Sequence, residues 1–155
     1  MGDKDLLQRF LGQYKTAKRR KHNLAVRLAT VRIDMDMPLS GNGYSDLPKG
    51  NSISEGAATL AIRARAIEEK IEEQKKRMAD LMLQIMEVIE LLPSTSAERA
   101  VIEHKYIDCM SWNKIAEAEC YSRSSCFEYW SNGLDKLLEF DRVNVILDEF
   151  KKAGA

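Results

Sequence analysis

From Asp3 to Met35 apolar residues return at alternating steps of three and four: Leu7, Phe10, Tyr14, Ala17, Leu24, Leu28, Val31 and Met35, with only Lys21 out of pattern. The span holds no proline and a single glycine, Gly12. Such spacing predicts one long amphipathic helix with a coiled-coil seam. A second seam is cleaner. Ala57, Leu60, Ala64, Ile67, Ile71, Gln74, Met78, Leu81, Ile85, Val88 and Leu92 keep the same steps until Pro93, a residue that helix interiors reject. At 1.5 Å per residue this second helix spans roughly 55 to 60 Å. Between the two, residues 37–52 hold two prolines and three glycines without periodicity and read as a loop. Ser52 with Glu55 has the form of a capping box at the start of the second helix.

Two helices joined by a loop can bury their seams on each other. Residues 1–92 are therefore expected to form a long antiparallel helical hairpin with coiled-coil character. With Met35 opposite Ala57, facing positions sum to about 92. That register sets the basic run Lys18, Arg19, Arg20 and Lys21 across from Glu68, Glu69, Glu72 and Glu73. In one reading the run is a solvated face that answers those glutamates; in the other it is a patch for nucleic-acid phosphates.

Beyond Pro93 the elements shorten. Thr95 and Glu98 suggest a capping box for a helix with Ala100, Val101, Ile102, Tyr106 and Ile107 on one face, broken at Cys109 and Met110. Ser111 then caps "WNKIAEAE", with Trp112, Ile115 and Ala116 inward. A turn at Cys120 and Tyr121 leads to Ser122, the cap of a last helix whose buried side is Cys126, Trp130, Leu134, Leu137 and Leu138. Three short helices, with a tight turn between the last two and small Ala116 where they cross, describe a helix-turn-helix over residues 93–140. Residues 141–155 form an amphipathic tail helix, with Val143, Ile146, Leu147 and Phe150 available to dock or to dimerise. The fold class is all-α.

Composition narrows the class further. A chain of 155 residues that is 45% hydrophobic and 31% charged, with three prolines, is an ordinary helical protein of one domain or of a small domain with an extension. No apolar run is long enough to cross a bilayer and the start lacks the form of a signal peptide, so a cytoplasmic protein without a membrane partner is expected. Cys109, Cys120 and Cys126 are odd in number and include no C-x-x-C pair. They fit small buried groups better than a disulfide framework or a zinc site with His104, and no metal or cofactor is expected. Asp34, Asp36 and Asp46 read as turn formers, and "SGNG" at 40–43 lacks the strand and helix that a phosphate loop needs; nothing here marks an enzyme.

Net charge is zero, but it is unevenly spread. Residues 1–36 carry nine Lys and Arg against four Asp, whereas residues 93–140 carry five against eight Asp and Glu. The stretch with the form of a DNA reader is thus acidic.

Residues 91–137 resemble region 4 of bacterial sigma factors. The likeness lies in Leu92-Pro93, Glu98-Arg99 before a hydrophobic helix, Ser111-Trp112 with Ile115-Ala116, Tyr121-Ser122, and Leu134 with Leu137. With the hairpin and its Gly/Pro loop in front, residues 5 to 140 are similar to a family of small sigma-like proteins of phages and prophages of Gram-positive bacteria. The resemblance implies transcription regulation through double-stranded DNA, RNA polymerase, or both. The chain departs from the family where region 4 proteins show outward Lys or Arg on the second helix: Phe127, Glu128, Tyr129, Ser131 and Asn132 stand there.

Candidate DNA-contacting residues are Lys114, Ser122, Arg123, Ser124, Ser125, Tyr129 and Asn132. Helix N-termini and small polar side chains can hold phosphate. Phe127 and Tyr129 are the candidates for a protein interface, because aromatic anchors dominate such surfaces; the alternative for both is packing against the hairpin or the tail. Two functional readings follow: a phage or prophage regulator that binds DNA through its helix-turn-helix, and a protein-binding module that engages RNA polymerase or a sigma factor through the hairpin or the aromatic helix. A homodimer through the hairpin or the tail is a further expected partner.

Overall fold

A computed structural model of the chain describes residues 2–36 and 51–154, the side chains of 51–55 excepted. The loop expected over 37–52, but for its last two residues, and the Ser52–Glu55 cap fall outside that description. The described residues form seven helices and no strand: α1 Asp3–Leu11, α2 Gln13–Asp36, α3 Asn51–Ile89, α4 Ala97–Tyr106, α5 Trp112–Glu119, α6 Arg123–Leu138 and α7 Asp141–Lys152. None is long and apolar enough to cross a membrane.

The single helix expected from Asp3 to Met35 is broken at Gly12. Glycine costs about 1 kcal/mol more than alanine inside a helix, and here that cost coincides with a replacement partner. Gln13 Nε2 donates to the Phe10 carbonyl at 3.0 Å, toward which the Gly12 N–H also turns where α1 ends. A Cβ on Gly12 would lie 3.2 Å from the Gln8 carbonyl oxygen, so the turn itself favours glycine. At the other end of the hairpin sequence, α3, expected to run to Leu92 and to be ended by Pro93, stops at Ile89, three residues earlier. Its last turn tightens before the proline, with Leu91 and Leu92 N–H bonding the Val88 and Ile89 carbonyls at 3.2 and 3.0 Å.

Close contacts divide the chain into two compact units: Met1–Ala17 with Met78–Ala155, and Lys18–Arg77. These units cross the spans expected from sequence, because α1 and the end of α3 pack with α4 to α7. The core of the first unit joins Leu7, Phe10 and Leu11 of α1, Ile85, Val88 and Ile89 of α3, Ile102 of α4, Leu134 and Leu137 of α6, and Val143 and Leu147 of α7. Burying such side chains stabilises by about 1.5–3 kcal/mol each.

The tail helix is a docked element. Val143 and Leu147 are buried, Ile146 packs beside them, and Phe150 meets Phe10 edge-on at 5.6 Å. Its apolar side is therefore spent within the chain, which removes the tail dimer as that face's use.

In the second unit the protected positions are those of the two seams. Leu28 and Ala64 are buried and Leu24, Val31, Leu60, Ile67 and Ile71 half-buried, whereas Val26 and Ile62 lie exposed off the seam. The expected facing pair Met35 and Ala57 is exposed on both sides.

The charge register also differs from expectation. Glu68 takes Arg32 at 2.7 Å, a pair whose numbers sum to 100; Glu69 takes Arg65 at 3.7 Å and Glu72 takes Lys75 at 3.0 Å. Among the described residues none of Lys18, Arg19, Arg20 and Lys21 pairs with these glutamates. Cations one turn away on α3, and Arg32 reaching across, occupy the carboxylates first.

Replacing Leu147 by Ala is expected to lower the unfolding free energy by about 2–5 kcal/mol. The urea midpoint of that variant should not depend on protein concentration, as it would if the tail mainly joined two copies.

Candidate nucleic-acid interface

Helices α4, α5 and α6 each begin at a serine, for the same reason. Ser96, Ser111 and Ser122 have extended backbones, and their hydroxyls accept from the N–H three residues on, in Arg99, Lys114 and Ser125. The second and third caps are those expected; the first is Ser96 and not Thr95. Ser96 Oγ also donates to the Pro93 carbonyl at 2.8 Å, a bond that fixes it at the helix start. Glu98, expected in the capping box, instead accepts from Lys136 Nζ of α6 at 2.7 Å. That hydrogen bond holds its carboxyl below the usual range.

Two cysteines make the turns. Cys109 and Cys120 both stand at φ 55°, the left-handed region that favours glycine. At Cys120 the N–H groups of Cys120 and Tyr121 both reach back to the Ala116 carbonyl, Tyr121 at 3.0 Å. That doubled bond closes α5 and sends the chain into α6. Cys120 is exposed and Cys109 half-buried, whereas Cys126 is buried. Burial, with Glu119 nearby, pushes the Cys126 thiol up, the opposite of a nucleophile.

The three helices share a small core of Val101, Ile115 and Cys126, ringed by Met110, Trp112, Ala116, Tyr121, Tyr129 and Trp130. α4 crosses α6 at Gly133. A Cβ there would collide with Ile102 Cδ1 and come within 3.1 Å of Glu98 Cβ. Beside this crossing Trp130 Nε1–H donates to the Tyr106 hydroxyl at 2.9 Å, and burial pushes that hydroxyl's pKa up.

His104 ties α4 to α5. One ring nitrogen lies 2.8 Å from Asp108 Oδ2 and the other 2.7 Å from Glu119 Oε1. Burial disfavours the charged ring, but the bonds to Glu119 and Asp108 outweigh it and leave its pKa above the ordinary value. Its nitrogens point at two different carboxylates, so the ring bridges and does not gather ligands. Among the described residues no group of three or more His, Cys, Asp or Glu is placed to hold a metal ion.

The sequence-derived candidates divide by what their side chains already do. Lys114, Arg123, Ser124 and Asn132 are exposed. Ser122 is committed to its cap, and its hydroxyl also donates to Ser125 Oγ at 2.9 Å. Tyr129 is half-buried, its ring tilted on Tyr121 at 5.1 Å. Phe127, 40% exposed, stacks on Trp112 at 4.3 Å between ring centres. Both aromatics thus pack on α5 and the turn, and not on the hairpin or tail.

Lys105 Nζ sits 4.6 Å above the Trp112 ring, and the Arg123 guanidinium lies 6.0 Å from that of Phe127. The result is a ladder with a cation at each end. Desolvation there, with Lys15 close by, holds the Lys105 ammonium below the usual lysine range. Sequence reasoning missed Lys105 and Trp112 as parts of this surface.

Lys4 of α1 limits the open face. Its Nζ reaches Ser131 Oγ at 2.8 Å and Asp135 Oδ1 at 2.9 Å, so the first two turns of α6 are the part left clear. Four exposed charges flank them: Lys114 and Arg123 against Glu117 and Glu128. They cancel.

No protein-family model, curated protein or solved structure matches the chain. The residues themselves carry the functional reading.

The His104 bridge has a pH consequence. Its folded pKa is raised, so its stabilisation is full below the unfolded value of about 6.5 and is lost as pH rises through the folded value. Unfolding free energy should fall across that interval, and His104→Gln should flatten the profile. A wild-type profile already flat between about pH 6 and 8 would contradict the bridge.

Proposed function

We propose that the chain is a transcription regulator that binds duplex DNA through α5, the Cys120 turn and α6, a helix-turn-helix of the sigma region 4 type that its sequence resembles. One observation carries the reading. The second helix of the pair is fixed by its cap, its turn and the Val101–Ile115–Cys126 core, yet the outward residues of its first two turns, Arg123, Ser124, Phe127 and Glu128, stay exposed.

An N-terminal half held rigidly in that way is the part of a recognition helix that meets base edges. Arg123 is the base- or phosphate-reading group, Ser124 is a short polar contact, and Lys114 is the phosphate contact from α5, while Asn132 lies beyond the clear turns, beside the Ser131 that Lys4 holds. Ser122 and Ser125 set the helix start, where N–H groups favour an anion.

A second reading is favoured by the Trp112–Phe127 stack. An aromatic pair bracketed by Lys105 and Arg123, on a face without a strong excess of charge, also suits a protein partner such as RNA polymerase or a sigma factor.

The two separate on binding. Replacing Arg123 by Ala should weaken a gel-shifted complex with the cognate duplex by about tenfold or more, and Phe127→Ala should leave DNA affinity within a factor of a few. Loss of polymerase capture on Phe127→Ala, with DNA binding indifferent to Arg123, would replace the first reading with the second.

A further inference from the structure

The charge of the chain divides along its compact units. Residues 18–77 hold thirteen Lys and Arg against eight Asp and Glu, and the remainder holds eleven against sixteen. The excess of the first group is concentrated on α2, where Lys18, Arg19, Arg20, His22 and Arg27 are all exposed. Among the described residues none of these five has a hydrogen-bond or ion-pair partner, because Glu68, Glu69 and Glu72 are held by Arg32, Arg65 and Lys75.

Successive helical residues turn by about 100°, so Lys18, Arg19 and His22 lie on the side away from Leu24, Leu28 and Val31, and Arg20 and Arg27 flank that seam, all five exposed. Lys21 flanks the seam on its other edge, where it is half-buried.

We propose that this solvent side of α2, Lys18 to Arg27, is a sequence-independent contact for the phosphate backbone of duplex DNA. The inference takes its class of partner from the reading above, but neither its residues nor its surface. Those ten residues span roughly 15 Å, a length over which a duplex presents about nine charges. The α6 face, with its cancelling charges, supplies little of the counterion release that gives DNA binding most of its strength; the α2 arc supplies it. A lipid surface fits less well. A helix lying in a membrane needs an apolar face, and the Leu24, Leu28 and Val31 side of α2 is already buried or half-buried in its own unit; between Lys18 and Arg27 Val26 is the one large apolar residue exposed, with Ile33 and Met35 further along.

The test uses the full chain, a labelled random-sequence duplex and a titration from about 50 to 200 mM KCl. Lys18→Gln/Arg19→Gln/Arg20→Gln should lower affinity about tenfold or more at 100 mM salt and reduce the log–log salt slope by about two to three. The charge-retaining Lys18→Arg/Arg19→Lys/Arg20→Lys should keep both, which separates charge from any loss of helix.

An unchanged slope in the Gln variant, or no binding of random duplex by the wild type at 50 mM salt, overturns the proposal. So does charge-dependent binding to phosphatidylserine vesicles or to a second copy of the chain with no duplex binding. If Arg123→Ala has no effect on cognate duplex while the Gln variant loses affinity, the α6 reading falls and the α2 surface stands. The reverse pattern leaves the α6 reading and removes this one.

Discussion

Gly133 leaves α6 without a Cβ where Ile102 of α4 rests, and the arrangement of the three short helices follows from that close approach. Trp130 bonds Tyr106 on one side of the crossing and Lys136 bonds Glu98 on the other, so α4 is held in both position and rotation. Its next face then brings Val101 against Ile115 and Cys126, and its last turn brings His104 within reach of Glu119. The seat of α5 is thus inherited from the fit of α4 on α6. Packed interiors transmit such constraints because they have few voids in which to relax.

What this rigid seat presents is modest chemistry. The first two turns of α6 offer one arginine, a small polar group and an aromatic already stacked on Trp112, with two glutamates nearby. A surface of that kind discriminates better than it attracts, since short-range contacts choose a partner while net charge sets how strongly any polyanion is held. The exposed cations lie on α2, in the other compact unit, and among the described residues Lys18, Arg19, Arg20 and Arg27 have no ion-pair partner. On the proposed reading, a charge-balanced face on α6 and a basic side of α2 would divide the work of choosing and holding DNA in a chain of zero net charge.

Local features were legible in the sequence and long-range ones were not. The apolar period located the long helices, Pro93 located the end of α3 to within three residues, and Ser111 and Ser122 located two caps, because each of these is decided within a few residues. Gly12 was visible but ambiguous; whether one glycine breaks a helix depends on what else bonds the carbonyls beside it, here the Gln13 side chain on that of Phe10. The choice of Ser96 over Thr95 turned on a bond to the Pro93 carbonyl that spacing does not encode. The ion pairs of Glu68, Glu69 and Glu72 went to cations that periodicity alone ranked no higher than Lys18 to Lys21. At the candidate site the exposed side of α6 was readable from its period, but the partners of Phe127 and Tyr129 were not, since both are set by how α5 lies against α6.

The most direct measurement is a double-mutant cycle in urea between Gly133→Ala and Ile102→Val. Alanine favours a helix over glycine by about 0.8–1 kcal/mol, so a crossing without steric contact would make Gly133→Ala stabilising in any background. The close crossing instead requires Gly133→Ala to destabilise the native chain by about 1–2 kcal/mol. With Ile102 Cδ1 removed, the same substitution should cost clearly less, because only the 3.1 Å approach to Glu98 Cβ then remains tight. Equal effects of Gly133→Ala in the two backgrounds, within about 0.5 kcal/mol, would contradict the account, because α4 would then not be seated by its contact with α6.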